Sequence, residues 1–184
     1  MAEKSFYLHE DEWAMINIIP AENLRRTKEI ADEAQTFGEE HFDGHCWTEM
    51  YVIPEETYPI KMRHIPSSAL QDLFSGYLTP VSQVETGYST HRETVSNSFA
   101  LVDERFGVMY GSCQEGIITS LHVAHFAGEN VEGVEEFIDR VVTLGKEYNL
   151  ILADWWQDSV LDLQNKSEVA RYILGESDED AVVQ

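Results

Sequence analysis

Seven histidines and two cysteines are the residues in this chain with the widest chemical reach. His122 and His125 are three apart, and on a helix they would share a face. They fall in Ile117–Phe126, which reads as a strand, and there odd spacing sends side chains to opposite faces. That geometry speaks against a joint metal site. His41 and His45 have the i,i+4 spacing and adjoin Cys46. Asp43-Gly44 interrupts any helix between them, and no fourth ligand lies close in sequence. They read as polar residues of a helix-to-strand turn. No metal and no cofactor are expected.

Nucleophilic chemistry finds no better footing. The segment Gly111-Ser112-Cys113-Gln114-Glu115-Gly116 lacks the G-x-S-x-G spacing and runs from a strand into a hairpin turn, not into a helix. No G-x-G-x-x-G or G-x-x-x-x-G-K stretch is present to cradle phosphate. Glu39-Glu40, Glu55-Glu56 and Glu135-Glu136 are adjacent carboxylates. Acid–base or calcium chemistry needs carboxylates that converge in a pocket, and the EF-hand pattern is missing. No catalytic residue is assigned.

The carboxylates matter more in sum. Thirty-four Asp and Glu oppose twelve Lys and Arg, giving a formal charge of −22 over 184 residues. Such a chain repels nucleic acid and anionic membrane and draws basic partners in a salt-dependent way. With 43% hydrophobic and 11% aromatic residues, it can still bury a core, so it does not read as disordered. Adaptation to salt is the alternative explanation of the acidity. Two distant cysteines and an N-terminus without a basic and apolar leader pattern suggest a reduced, cytoplasmic protein. No stretch is long and apolar enough to span a bilayer.

The elements that must position these residues follow from periodicity. Ala14–Ile19 reads as a strand, and Pro20 opens a helix over Ala21–Glu40, with Leu24, Ile30 and Phe37 on its inner face. Cys46–Ile53 is rich in aromatic and β-branched residues and reads as a second strand. Ser67–Phe74 reads as a short helix capped by Ser67. Asn97–Val102, Gly107–Cys113 and Ile117–Phe126 read as an antiparallel meander. Gly128–Asn130 ends it, with Asn130 a candidate cap. Val131–Tyr148 is a strongly amphipathic helix, with Val134, Ile138 and Val141 inward and Glu132, Glu135, Glu136 and Asp139 outward. Leu150–Trp155 and Ser159–Leu163 read as strands, and Lys166–Leu174 as a last helix with Asn165 or Ser167 near its start. Residues 1–175 then make one α+β domain with an antiparallel or mixed sheet and two longer helices packed on it. Residues 176–184 read as an acidic tail containing Glu176–Asp180.

Tyr148-Asn149-Leu150-Ile151-Leu152-Ala153-Asp154-Trp155-Trp156, then Val160-Leu161-Asp162-Leu163, then Arg171-Tyr172-Ile173-Leu174, resembles the C-terminal pattern of small acidic bacterial proteins, among them immunity-type proteins of polymorphic toxin systems. The resemblance covers the C-terminal part alone. It implies a cytoplasmic, non-enzymatic protein that binds and neutralises a basic partner, a cognate toxin domain. The expected contact face is Glu132, Glu135, Glu136 and Asp139, joined by Asp154, Trp156 and Asp158. Carboxylates there would steer the partner and an outward Trp would anchor it. The competing readings are a small hydrolase or metal-dependent enzyme, and an adaptor that is acidic for solubility.

Overall fold

A computed structural model describes residues 5–81, 83–88, 90–126 and 131–175. The expected cap at Asn130 and the acidic tail at 176–184 lie outside the described residues. In chain order the elements are β1 (Ser5–His9), β2 (Ile16–Pro20), α1 (Leu24–Glu40), α2 (Ser67–Leu73), β3 (Thr79–Val81), β4 (Gln83–Tyr88), β5 (His91–Thr94), β6 (Ser98–Asp103), β7 (Gly107–Gln114), β8 (Ile117–Phe126), α3 (Val134–Tyr148), β9 (Leu150–Asp154), β10 (Ser159–Asp162) and α4 (Lys166–Leu174). Seven strands make an antiparallel sheet in the order β10-β9-β2-β8-β7-β6-β3, and β1-β4-β5 make a small mixed sheet. This is the expected α+β architecture, with α1 and α3 as its two longer helices.

Alternation along the strands gives the large sheet two apolar faces. Ile16 and Ile18 of β2, Leu121 and Val123 of β8, and Leu150 and Leu152 of β9 turn to one face, where they meet Phe137, Ile138, Val141 and Leu144 of α3 and Val169 and Ile173 of α4. Ile19, Ile151 and Ala153 turn to the other face and meet Leu24 of α1 and Trp155. Further along that second face Ala100, Val108 and Tyr110 are covered by Leu8 and Val84 of the small sheet. The second face therefore carries two separate covers. Trp13, Ala14, Asn17 and His122 lie on it between them.

Most of the expected inner faces hold: Ile30, Ile138 and Val141 are buried and Leu24 and Val134 partly so, but Phe37, expected on the inner face of α1, packs instead against His41 and Tyr51 and joins none of the core clusters. The meander forms as β6–β8, and its β7–β8 turn has both Glu115 and Gly116 at positive φ, as a tight hairpin turn demands. Asn165 caps α4 by accepting from the Ser167 and Glu168 backbone N–H groups.

Several expectations need correction. Residues 46–53 form no strand, only an isolated bridge between Phe42 and Trp47. They lie against α1 instead, where Tyr51 packs on Phe37 and donates its hydroxyl to Glu33. A helix surface offers no backbone ladder, so β-propensity has nothing to pair with. Pro66, not Ser67, occupies the N-cap of α2. The long helix starts at Val134 behind Gly133 at positive φ, which leaves Glu132 in the preceding turn. Strands β1, β3, β4 and β5 were not expected, because β3–β5 are mostly polar and only Val84 among them is buried.

Candidate functional site: an acidic aromatic face and the cleft beside it

The histidine constellations come apart. A register shift between Val108 and Met109 inserts an extra residue into β8, a bulge that breaks alternation. Phe126 consequently packs with Phe137 and Tyr172 on the α3–α4 side, while His125 pairs with Val108 on the other face. His122 and His125 therefore share a face, contrary to the simple spacing argument. They do different things there. His122 is packed beside Tyr110, 2.6 Å from Asn17 Oδ1, and burial lowers its pKa to about 4. His125 is exposed. His41 ends α1 and stacks on Phe37. The Asp43 carboxylate accepts from the backbone N–H groups of His45 and Cys46. Among the described residues no three His, Cys, Asp or Glu side chains gather to hold a metal ion. Ser112 and Cys113 lie inside β7, where Ser112 N–H donates to Ser120 Oγ.

The face expected from sequence is split by the fold. Asp154 is only 1% exposed. It turns toward α4 and accepts from the Tyr172 hydroxyl at 2.7 Å and from the Trp156 backbone N–H at 2.8 Å. It is a structural carboxylate and cannot meet a partner. Glu135 and Glu136 are exposed on α3. Asp139 lies 2.6 Å from Lys166 Nζ, which also approaches Glu135. Glu132 is exposed in the turn before α3. Trp156 and Asp158 belong to the β9–β10 turn, and Asp158 shares a shallow depression with Glu39, Phe42 and Trp47 beside α1. Since α1 and α3 cover opposite faces of the sheet, the α3 carboxylates and Asp158 do not form one patch.

A second surface, missed in the sequence, emerges around α1. Among the described residues nine large apolar side chains are exposed, and six of them lie between Phe42 and Tyr58. Trp47 is 69% exposed and Met50 89%, with Trp156 at 60% in the turn near Asp158. Exposed apolar residues scattered singly are ordinary, whereas here six fall within one short segment. The same segment is acidic. Between Lys28 and Lys61 stand nine Asp and Glu and no Lys or Arg. Glu29 and Glu33 are held by Arg25 and Arg26 along the helix. Those bonds lower the carboxyl pKa values, chiefly through the hydrogen bond from Arg25 to Glu29 and from Arg26 to Glu33.

Beneath this segment a cleft of about 470 Å³ opens between α1, β2 and residues 53–61. It lies where the α1 cover meets the bare strip of the sheet. Ile19, Ile30, Ile53 and Trp155 make apolar walls, and Asn17, Arg26, Glu55, Glu56 and Lys61 add polar ones. Its outer wall is fixed by the buried Asn23. That side chain donates to the Tyr58 carbonyl at 2.8 Å and accepts from the Tyr58 N–H at 3.0 Å. Glu56 is exposed at its edge, yet desolvation by the surrounding protein, and next the charge of Glu55, raise its pKa.

The chain matches no family model, no curated protein and no solved structure.

Proposed function

We propose that this chain is an acidic binding protein that captures a basic protein through the face built from the outer side of α1, residues 42–58 and the Trp156–Asp158 turn. The observation that carries this reading is the coincidence of six exposed apolar side chains with nine carboxylates and no Lys or Arg in one stretch. Aromatic anchors inside a charged rim are the ingredients of a specific interface: desolvated Trp supplies most of the binding energy, and the rim supplies steering. The α3 carboxylates are a weaker choice, because among the described residues that helix exposes no large apolar side chain beside them. The C-terminal resemblance to immunity-type proteins makes a cognate toxin domain the proposed partner. Neutralisation then means covering the partner's basic cleft, with no chemistry by this chain.

The experiment begins with capture on the tagged full chain at low salt and release at high salt. The released protein is then identified, purified and recombined. The reading expects a basic partner whose affinity falls steeply between 0.1 M and 1 M salt, as the Debye length shrinks from about 10 Å to about 3 Å. A recombined partner that is acidic, or whose binding is indifferent to salt, contradicts it.

A further inference from the structure

The cleft beside the acidic face is lined by groups that lack one component. Glu55 and Glu56 stand on its wall, and neither has an ion-pair partner among the described residues. Glu56 is desolvated beside a like charge, an arrangement that a cation relieves directly. Arg26 does not supply that cation, since Glu29 and Glu33 hold its guanidinium along the helix. Lys61 lines the same cleft but forms no ion pair with either carboxylate. The lining also includes the apolar and aromatic side chains of Ile19, Ile30 and Trp155. The volume of about 470 Å³ lies within the range of ligand pockets.

We propose that this cleft receives one long cationic side chain of the partner, an arginine or a lysine, with its methylene stem along Ile19, Ile30 and Trp155 and its charged head at Glu55 and Glu56. This rests on the reading of the chain as a binder of a basic protein, and adds where the partner is anchored. An apolar stem ending in a charge is the one protein side-chain type that matches both walls. An anion would meet both carboxylates with Lys61 alone to oppose them, since Glu29 and Glu33 already hold Arg26. A purely apolar side chain leaves those carboxylates desolvated and unpaired.

The test uses two short blocked peptides, acetyl-Gly-Arg-Gly-amide and the same peptide with citrulline. Citrulline keeps the shape and hydrogen-bonding edge of arginine and removes the charge. The full ¹⁵N-labelled chain is titrated, and the Trp155 indole N–H resonance is followed after its assignment with Trp155→Phe. The arginine peptide should shift that resonance saturably, in the millimolar range. The citrulline peptide should bind at least tenfold more weakly. Glu55→Gln with Glu56→Gln, both at exposed positions, should abolish the preference for arginine. Lys61→Gln should tighten arginine binding two- to fivefold, because it removes the competing cation.

Equal response to the two peptides, no saturable shift at Trp155, or a preference that survives the double Gln variant overturns the proposal. Failure here and failure of the parent reading are separable. If the peptide does not bind but a captured basic partner loses affinity on Trp47→Ala, the cleft assignment falls alone. If the peptide binds the cleft but no basic partner is captured, the partner reading falls and the cleft remains a site for an organic cation.

Discussion

Asp154 joins a turn to a helix. It receives backbone N–H groups from Trp156 and Gln157 and the hydroxyl of Tyr172, all at the end of β9. Replacing it by Ala strands a buried hydroxyl and two turn donors, and should cost about 3 kcal/mol in chemical denaturation. Glu135→Gln, at an exposed position on α3, should stay within about 0.5 kcal/mol of the parent. His122 makes a separate prediction. Burial lowers its pKa to about 4, below the value of about 6.5 expected in the unfolded chain. The unfolded state therefore takes up the proton first as pH falls. Stability from the neutral imidazole is complete above about pH 6.5 and lost progressively toward pH 4. The other carboxylates shift the stability of a −22 chain as well, so the useful quantity is a difference between variants. Between pH 7 and pH 5 the parent should lose about 2 kcal/mol more than His122→Gln. Equal losses would show that the imidazole is not held neutral. Asp154 in the sequence resembled any surface acid, since the Tyr172 hydroxyl that buries it comes from 18 residues away and leaves no local signal.

Helix α3 is held against the sheet by a full apolar side and one close approach. A Cβ on Gly145 would lie 2.5 Å from the Leu163 backbone. Ala is the better helix former by about 1 kcal/mol, yet Gly145→Ala should destabilise by about 2 kcal/mol, because backbone cannot move aside as a flexible side chain can. A rise in thermal midpoint would refute the contact. Ile138→Asp places a charge at a fully buried site and should cost on the order of 4 kcal/mol or more. Elements of this kind were legible because their periodicity and their burial agree. The meander, α3 and the β9–β10 pair all carry that agreement. Residues 46–53 carried strand propensity without an edge to join, and β4 and β5 carried an edge without the propensity. In both cases the deciding information is the tertiary partner. The bulge in β8 is a further example: one extra residue moved His125 to the face of His122, and no residue type there announces it.

At the scale of the molecule, the acidity was plain in composition and its placement was not. The sequence pattern drew Glu132, Glu135, Glu136, Asp139, Asp154, Trp156 and Asp158 together, because the strand follows the helix in the chain. The sheet lies between α1 and α3, so Asp158 sits with Phe42 and Trp47 while Asp139 pairs with Lys166. The nine carboxylates from Glu29 to Glu56 could be counted in the sequence. Their association with exposed aromatics became visible only once residues 46–53 were seen lying on a helix instead of inside a sheet. Steering and docking should consequently separate in kinetics. Charge changes anywhere on the acidic surface act on the association rate, and loss of a desolvated anchor acts on dissociation.

The most direct measurement is the dissociation rate of the purified basic partner from two variants, recorded by surface plasmon resonance at 0.15 M salt. One variant is Trp47→Ala with Trp156→Ala, both at exposed side chains. The other is Glu132→Lys, Glu135→Lys and Glu136→Lys. The account predicts that the Trp pair raises the dissociation rate at least tenfold, about 1.4 kcal/mol, while the Lys triple slows association and leaves dissociation near the parent value. A partner that leaves the Trp pair at the parent rate, and leaves the Lys triple at least tenfold faster, would place the interface on α3 and contradict the account.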